Sequence, residues 1–277
     1  MSDDDHGAGL RVAVLGASGR MGRAIVPLIA TAEAGGLSLT GALAAPRDPA
    51  VGQDAGVFAG GPPLAVTVTD EIGRALDGAQ VAIDFTRADA SLRHATACRL
   101  AGCALVIGTT GHDEAQRAEL AELARGIPVV LAPNMSLGVN VLLRLAELAA
   151  RALGGDRYDA EIHEAHHRNK VDAPSGTALG LGRAVARGRG VDLERVADYA
   201  RHGNTGAREP GHIGFSVVRG GDIVGDHRLI FAGPGEQIEL AHRAQDRSGF
   251  ARGALVAARW VAGRPPGLYS MFDVLGI

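Results

Sequence analysis

Aromatic residues make up only 4% of this 277-residue chain, which holds one tryptophan and two cysteines. The formal charge is −3, so the chain lacks the one-signed field that draws proteins to nucleic acid or to an anionic membrane surface. No apolar run approaches the roughly 20 residues of a membrane-spanning helix. The acidic start, Met1 to Gly7, lacks the basic and apolar regions of a signal peptide and is expected to be a disordered tail of eight or nine residues. Cys98 and Cys103 fall where a helix runs into a buried strand, a poor frame for a disulfide, so reduced thiols in a cytoplasmic protein are expected. Neither nucleic acid nor membrane is expected as a partner; a small soluble molecule is.

Alanine and glycine are plentiful, and the first half alternates short apolar runs with helical patterns, the rhythm of parallel strands and crossover helices. Strands are predicted at Arg11 to Leu15, Leu37 to Leu43, Ala65 to Val68, Val81 to Phe85, Ala104 to Ile107 and Pro128 to Leu131. Helices are predicted from Arg20 to Ala32 and around residues 95, 118 and 146. Six strands suffice for a doubly wound, Rossmann-like α/β domain. After residue 155 longer strands follow, Tyr158 to Ala165, Ile213 to Val218, Asp222 to Phe231 and Gln237 to Ala244, separated by glycine-rich turns. They imply a second, α+β domain with an antiparallel or mixed sheet. The charged stretch from Asp198 to Gly211 is expected to be a mobile loop, and the helical run after Ser248 to return to the first domain.

The first strand runs into Gly16-Ala17-Ser18-Gly19-Arg20-Met21-Gly22 and then a helix. That arrangement presents backbone N–H groups at a helix N-terminus, where a pyrophosphate can dock. Gly16 and Gly19 allow a tight turn and close approach, and Gly22 allows close helix-to-strand packing. The bland alternative is a plain strand-to-helix turn. An NAD site usually has an acid about twenty residues on, but Ala44-Ala45-Pro46-Arg47 stands there. Arg47 could take a 2′-phosphate, which favours NADPH over NADH; otherwise it is a solvated loop charge. Gly108-Thr109-Thr110-Gly111 and Ala132-Pro133-Asn134-Met135 follow two more strands, at carboxyl ends where such sheets bind ligands, and Asp84-Phe85-Thr86 ends another.

Two imidazoles, a guanidinium and an ammonium are concentrated in Glu164-Ala165-His166-His167-Arg168-Asn169-Lys170-Val171-Asp172-Ala173-Pro174-Ser175-Gly176-Thr177. His163 to His167 also fits the H-E-x-x-H zinc pattern, which requires a helix. Tyr158 to Ile162 reads as strand, however, and four strand residues would part the two histidines by roughly 13 Å, so no metal is expected. On a strand and its exit, His166 and His167 point in different directions, one to donate a proton and one to orient substrate. His163 is expected to be structural. Lys170 can bind a carboxylate or assist proton transfer, and Ser175-Gly176-Thr177 can open a helix whose amides receive an anion. A small dicarboxylate substrate fits this set; histidines satisfied on a surface strand are the alternative.

In this order, the glycine-rich turn, Asp-Phe-Thr, Gly-Thr-Thr-Gly, Pro-Asn-Met-Ser and the segment from Glu164 to Thr177 resemble the 4-hydroxy-tetrahydrodipicolinate reductase family, formerly dihydrodipicolinate reductase, supported by Gly214 to His227. The resemblance runs from about Arg11 to Leu275. It implies a dinucleotide-binding domain over residues 1–134, completed by 248–277, and a substrate-binding and tetramerisation domain over 135–247 that builds a homotetramer. It also implies that His166 is the proton donor and Lys170 the catalytic cation. His167, Lys170, Gly176 and Thr177 would hold substrate carboxylates. Gly16, Ala17, Ser18, Gly19, Arg20, Met21, Gly108, Thr109, Thr110, Ala132, Pro133, Asn134 and Met135 would contact the cofactor. Many members carry an acid where this chain has Ala44 and Ala45. Three rivals remain: another small-molecule reductase on the same scaffold, a non-catalytic dinucleotide sensor and a zinc hydrolase.

Overall fold

The computed structural model describes residues 9–31 and 35–277; the expected disordered start lies outside the described residues. Two compact units divide the chain, one running to Ser136 and including Arg247–Gly276, the other Leu137–Asp246.

The first unit is built on a parallel sheet of β1 (Leu10–Leu15), β2 (Leu37–Leu43), β3 (Val68–Thr69), β4 (Val81–Asp84), β5 (Ala104–Ile107), β6 (Pro128–Leu131) and, near the end of the chain, β12 (Gly267–Tyr269). Their order, β12-β6-β5-β4-β1-β2-β3, is the doubly wound order with one strand added beside β6. β4 and β5 are buried at every residue, which is why they read as unbroken apolar runs rather than alternating ones. The helices α1 (Gly22–Ile29), α4 (Ala88–Ala101), α5 (Glu114–Leu123) and α9 (Ser248–Val261) flank the sheet. Cys98 and Cys103 are free, buried thiols, and hydrogen bonding between them and then burial push the Cys98 thiol well above its ordinary range.

Three expectations need correction. β12 went unpredicted because three residues after Pro265-Pro266 carry no periodicity; pairing with β6 makes them a strand. β3 begins later than Ala65 because that residue adopts φ +57° and Thr67 first bridges back to Asp54. α1 is shorter than predicted: residues 19–21 belong to the glycine-rich turn, and Ala30 and Thr31 close the far end with bonds to the carbonyls of Pro27 and Leu28.

In the second unit the mixed sheet runs β11 (Glu236–Ala244), β10 (Gly225–Gly233), β7 (Asp159–His166), β9 (Ile213–Arg219), β8 (Ala197–Asp198). β10 is antiparallel to both neighbours, whereas β7, β9 and β8 are parallel. Helices α6 (Leu137–Leu153) and α7 (Gly176–Arg189) pack together so closely that a Cβ at Gly188 would collide with the Glu147 carbonyl. Ile162, Leu181, Ile213, Leu229 and Phe231 form the fully buried core here, each side chain contributing about 1.5–3 kcal/mol by burial. Along β7, Ala160 and Ile162 belong to that core and the next alternate positions, Glu164 and His166, continue the same face as a polar cluster.

The stretch from Asp198 to Gly211 is irregular, as expected, but it is tied down rather than loose. Arg201 bonds both Glu161 oxygens at 2.6 and 2.8 Å, while Arg208 reaches Asp159, Glu161 and the carbonyls of Ala160 and His212. Charges that look solvated in the sequence find their partners on β7, some forty residues earlier.

Candidate functional site

At the carboxyl ends of the first sheet, the loops are laced strand to strand. The amides of Gly16 and Ala17 donate to the Leu43 carbonyl at 2.9 and 2.8 Å. Phe85 donates to Leu15, Gly108 to Asp84 and Ala132 to Ile107, so the turn after β1 and the loops after β4, β5 and β6 lie side by side. Gly16 has φ +85°, and a Cβ there would sit 2.9 Å from the Phe85 carbonyl. A Cβ at Gly22 would overlap the Gly16 carbonyl and lie 2.6 Å from the Ala17 Cα. Both glycines are therefore required by the cradle itself. α1 starts without a side-chain cap, and the amides of Arg23 and Ala24 donate to the Gly19 and Met21 carbonyls of the turn.

Ser18 donates to Asp48 at 2.8 Å, joining the glycine-rich turn to the loop after β2. In that loop Asp48 N bonds the Ala45 carbonyl, with Pro46 and Arg47 at the corners and Arg47 at φ +66°. Arg47 is exposed, with no ion-pair or hydrogen-bond partner among the described residues. Of the other cofactor candidates, Gly19, Arg20, Thr110 and Pro133 are exposed, Ser18, Met21, Gly108 and Asn134 half-buried, and Ala17, Thr109, Ala132 and Met135 buried. Two of them have internal duties. A Cβ at Gly108 would strike the Phe85 ring, and the Thr109 hydroxyl donates to Asp84 Oδ1 at 2.9 Å while accepting from the Thr86 amide. Asp84 is fully buried, takes Thr86 Oγ1 on the same oxygen and pairs with His94 Nδ1 at 2.7 Å through the other. It clamps the β4 and β5 loops together.

In the second unit Glu164 is wholly buried, and its carboxylate accepts four hydrogen bonds: His166 Nδ1 at 2.5 Å, Arg219 Nη1 at 3.0 Å and Nη2 at 2.8 Å, and the Ser175 amide at 3.0 Å. Burial opposes its charge, yet the bonds from Arg219, His166 and Ser175 together hold its pKa below the ordinary carboxylate range. Burial also lowers the His166 pKa, with Glu164 opposing and Lys170 and Arg219 adding to the fall. His227 meets His166 edge-on with ring centroids 5.0 Å apart and shares a 3.1 Å bond with Ser175 Oγ. Burial, then the neighbouring His166, lower its pKa to about 4. Lys170 pairs with Asp172 at 2.7 Å, His167 is half-buried, and Gly176 and Thr177 open α7 behind the Ser175 cap. His163 lies on the opposite face, exposed and bonded to Ser216, so β7 keeps the H-E-x-x-H segment extended.

Glu164, His166 and His227 place one potential metal-ligand atom each within 4.8 Å of one another. The carboxylate is already saturated by four donors, one of them a guanidinium, so a cation would first have to displace Arg219. Sequence reasoning gave no individual role to Glu164, Arg219 or His227, and placed Asp84 only as part of a strand end walling the cofactor crevice. Alternation along β7 does signal that Glu164 and His166 share a face. Arg219 and His227 reach them through the registers His166 opposite Arg219 and Glu164 opposite His227, which link residues more than fifty positions apart.

Two family models match nearly all of the chain: dihydrodipicolinate reductase, N-terminus, over residues 10–135, and dihydrodipicolinate reductase, C-terminus, over residues 138–275. A 4-hydroxy-tetrahydrodipicolinate reductase from Thiobacillus denitrificans is 59% identical over 97% of this chain and 99% of its own. One from Anaeromyxobacter dehalogenans is 52% identical over 96% and 98%. Among solved structures, a dipicolinate-bound dihydrodipicolinate reductase from Paenisporosarcina sp. has a TM-score of 0.75 at 24% identity, covering 96% of this chain and 98% of its own. The chain belongs to the dihydrodipicolinate reductase family.

Proposed function

We propose that this chain reduces 4-hydroxy-tetrahydrodipicolinate to tetrahydrodipicolinate in diaminopimelate and lysine biosynthesis, using NADPH or NADH. The reading is supported by the reductase relatives that match along almost the whole chain. The observation that carries its chemistry is a histidine, His166, whose Nδ1 is engaged by a buried carboxylate beside a lysine and the start of α7.

Residues 1–134 and 248–277 serve as the dinucleotide-binding domain, and 135–247 as the substrate-binding and tetramerisation domain. The cradle fits a pyrophosphate, because Gly16 and Gly22 let the turn close tightly against Phe85 and on itself, and no side chain caps the N-terminus of α1. Gly16 to Met21 hold the phosphates, and Gly108 to Thr110 with Ala132 to Met135 line the nicotinamide end. Arg47, unpaired at the end of the β2 loop, receives a 2′-phosphate, which favours NADPH. When bound, the nicotinamide supplies a hydride to the conjugated imine of the dehydrated substrate.

His166 gives a proton from Nε2 as negative charge develops, and Lys170 stabilises that charge. His167, Lys170, Gly176 and Thr177 hold the carboxylates of a small dicarboxylate substrate. A homotetramer is supported by the largely exposed edge strand β11 and by Val217, Val218 and Ile238, each about 40% exposed. The test is oxidation of NADPH and of NADH, followed by absorbance, with substrate generated in place from pyruvate and aspartate semialdehyde by a coupled synthase. Substrate-dependent oxidation is expected. Cofactor binding without oxidation would favour a sensor or a different substrate.

A further inference from the structure

We propose that Glu164, locked by Arg219, is a positioning residue for His166: it holds the Nδ1–H and so reserves Nε2 as the nitrogen that delivers the proton. The inference rests on His166 being the proton donor. An ionised carboxylate can only accept, so the 2.5 Å contact from Glu164 Oε2 requires the hydrogen on His166 Nδ1. The carboxylate has no freedom to turn away. Arg219 grips both of its oxygens and is itself fixed from behind by the carbonyls of Asp172 at 2.6 Å and Val218 at 2.8 Å, while the Ser175 amide holds the Oε1 side.

A second observation concerns the other end of the ring. A Cβ at Gly225 on β10 would stand 3.1 Å from His166 Nε2 and 3.4 Å from its Cδ2. Glycine inside a strand weakens it and often marks a place where something must approach closely. Here its missing side chain keeps room beside Nε2. One end of the imidazole is bonded to a fixed carboxylate; the other faces a glycine, whose Cβ would press on Nε2 at 3.1 Å.

A purely structural pair tying β7 to β9 would shift the His166 titration by its charge alone and leave kcat near wild type, so a fall in kcat accompanying the shifted pH profile discriminates. The charged and titratable groups around His166 are Glu164 on its own strand, Lys170 and Asp172 in the following loop, Arg219 on β9, and His227 with Asp226 on β10. A proton donor must be protonated, so kcat/KM falls as pH rises through its pKa. Glu164→Gln removes a neighbouring negative charge and should move that basic limb to lower pH; Arg219→Gln removes a positive one and should move it to higher pH. Glu164→Gln should also lower kcat by about 10²-fold, the scale of a misplaced catalytic group, with the KM for dinucleotide unchanged. Limbs that stay put or move in the same direction, or kcat within twofold of wild type, would overturn the proposal.

Should either variant fold poorly, ¹⁵N imidazole NMR on the wild-type enzyme gives an independent reading, with the His166 signals assigned by their loss in His166→Gln. Neutral His166 is expected to carry its hydrogen on Nδ1; a dominant Nε2–H tautomer would refute the assignment. Full turnover in His166→Gln would instead bring down the catalytic reading on which the inference rests. A dead His166→Gln beside a normal Glu164→Gln would bring down this inference alone.

Discussion

His227 makes stability depend on pH in a direction fixed by its surroundings. It is 5% exposed, faces His166 and has an Nδ1 with no partner among the described residues, so charging it in place is costly. Its pKa falls from the ordinary 6.5 to about 4. Between those values the unfolded chain binds the proton and the folded chain does not, so stability is complete above about pH 6.5 and drains away as pH falls toward 4. At about 1.4 kcal/mol per pH unit, the loss traceable to this one side chain is about 3 kcal/mol. His112, His166 and His242 are lowered by burial too and steepen the overall curve in the same sense. The difference between wild type and His227→Gln isolates the one group, since the amide can still reach Ser175 Oγ without titrating. Urea unfolding from pH 7 to 4.5 should show the two curves converging as pH falls, by up to one proton's slope. Parallel curves across that window would mean that His227 titrates alike in the folded and unfolded chain.

Three further outcomes follow from the first unit and from the core. Gly22→Ala forces a Cβ into the Gly16 carbonyl, so dinucleotide affinity measured by calorimetry should fall at least tenfold, with substrate-analogue binding retained; equal affinity would mean that the turn does not hold the phosphates. Asp84→Ala leaves the Thr86 and Thr109 hydroxyls and His94 without their common acceptor, and should destabilise the unit by about 1–3 kcal/mol and raise the dinucleotide KM; a change in neither would show the clamp to be idle. Leu181→Ala removes a fully buried side chain from the second core and should cost about 2–5 kcal/mol in denaturant unfolding, so a loss under 1 kcal/mol would contradict the packing described.

Much of this architecture is legible in the sequence because it rests on local signals. β5 and β6 fall where their apolar runs end, and Gly16 to Gly22 declare the turn, since only glycine tolerates φ +85° at Gly16 and the contact of Gly22 with the Gly16 carbonyl. Strand character through Tyr158 to Ile162 is enough to dismiss the H-E-x-x-H zinc pattern, and β7 extends to His166. What is not legible depends on register. Glu164 reads as one more charge before two histidines until Arg219 and His227 are brought against it from β9 and β10. Arg201 and Arg208 likewise read only as charges of a mobile loop until Glu161 is found bonded to them. β12 is three residues of edge strand whose identity comes entirely from its neighbour β6.

The most direct test of the account is the turnover of His166→Gln at saturating NADPH with the coupled substrate, set beside its dinucleotide affinity. With His166 as the proton donor, kcat should fall by about 10² to 10⁴, the range of a lost general acid, while dinucleotide affinity stays at the wild-type value. Wild-type turnover in that variant would contradict it.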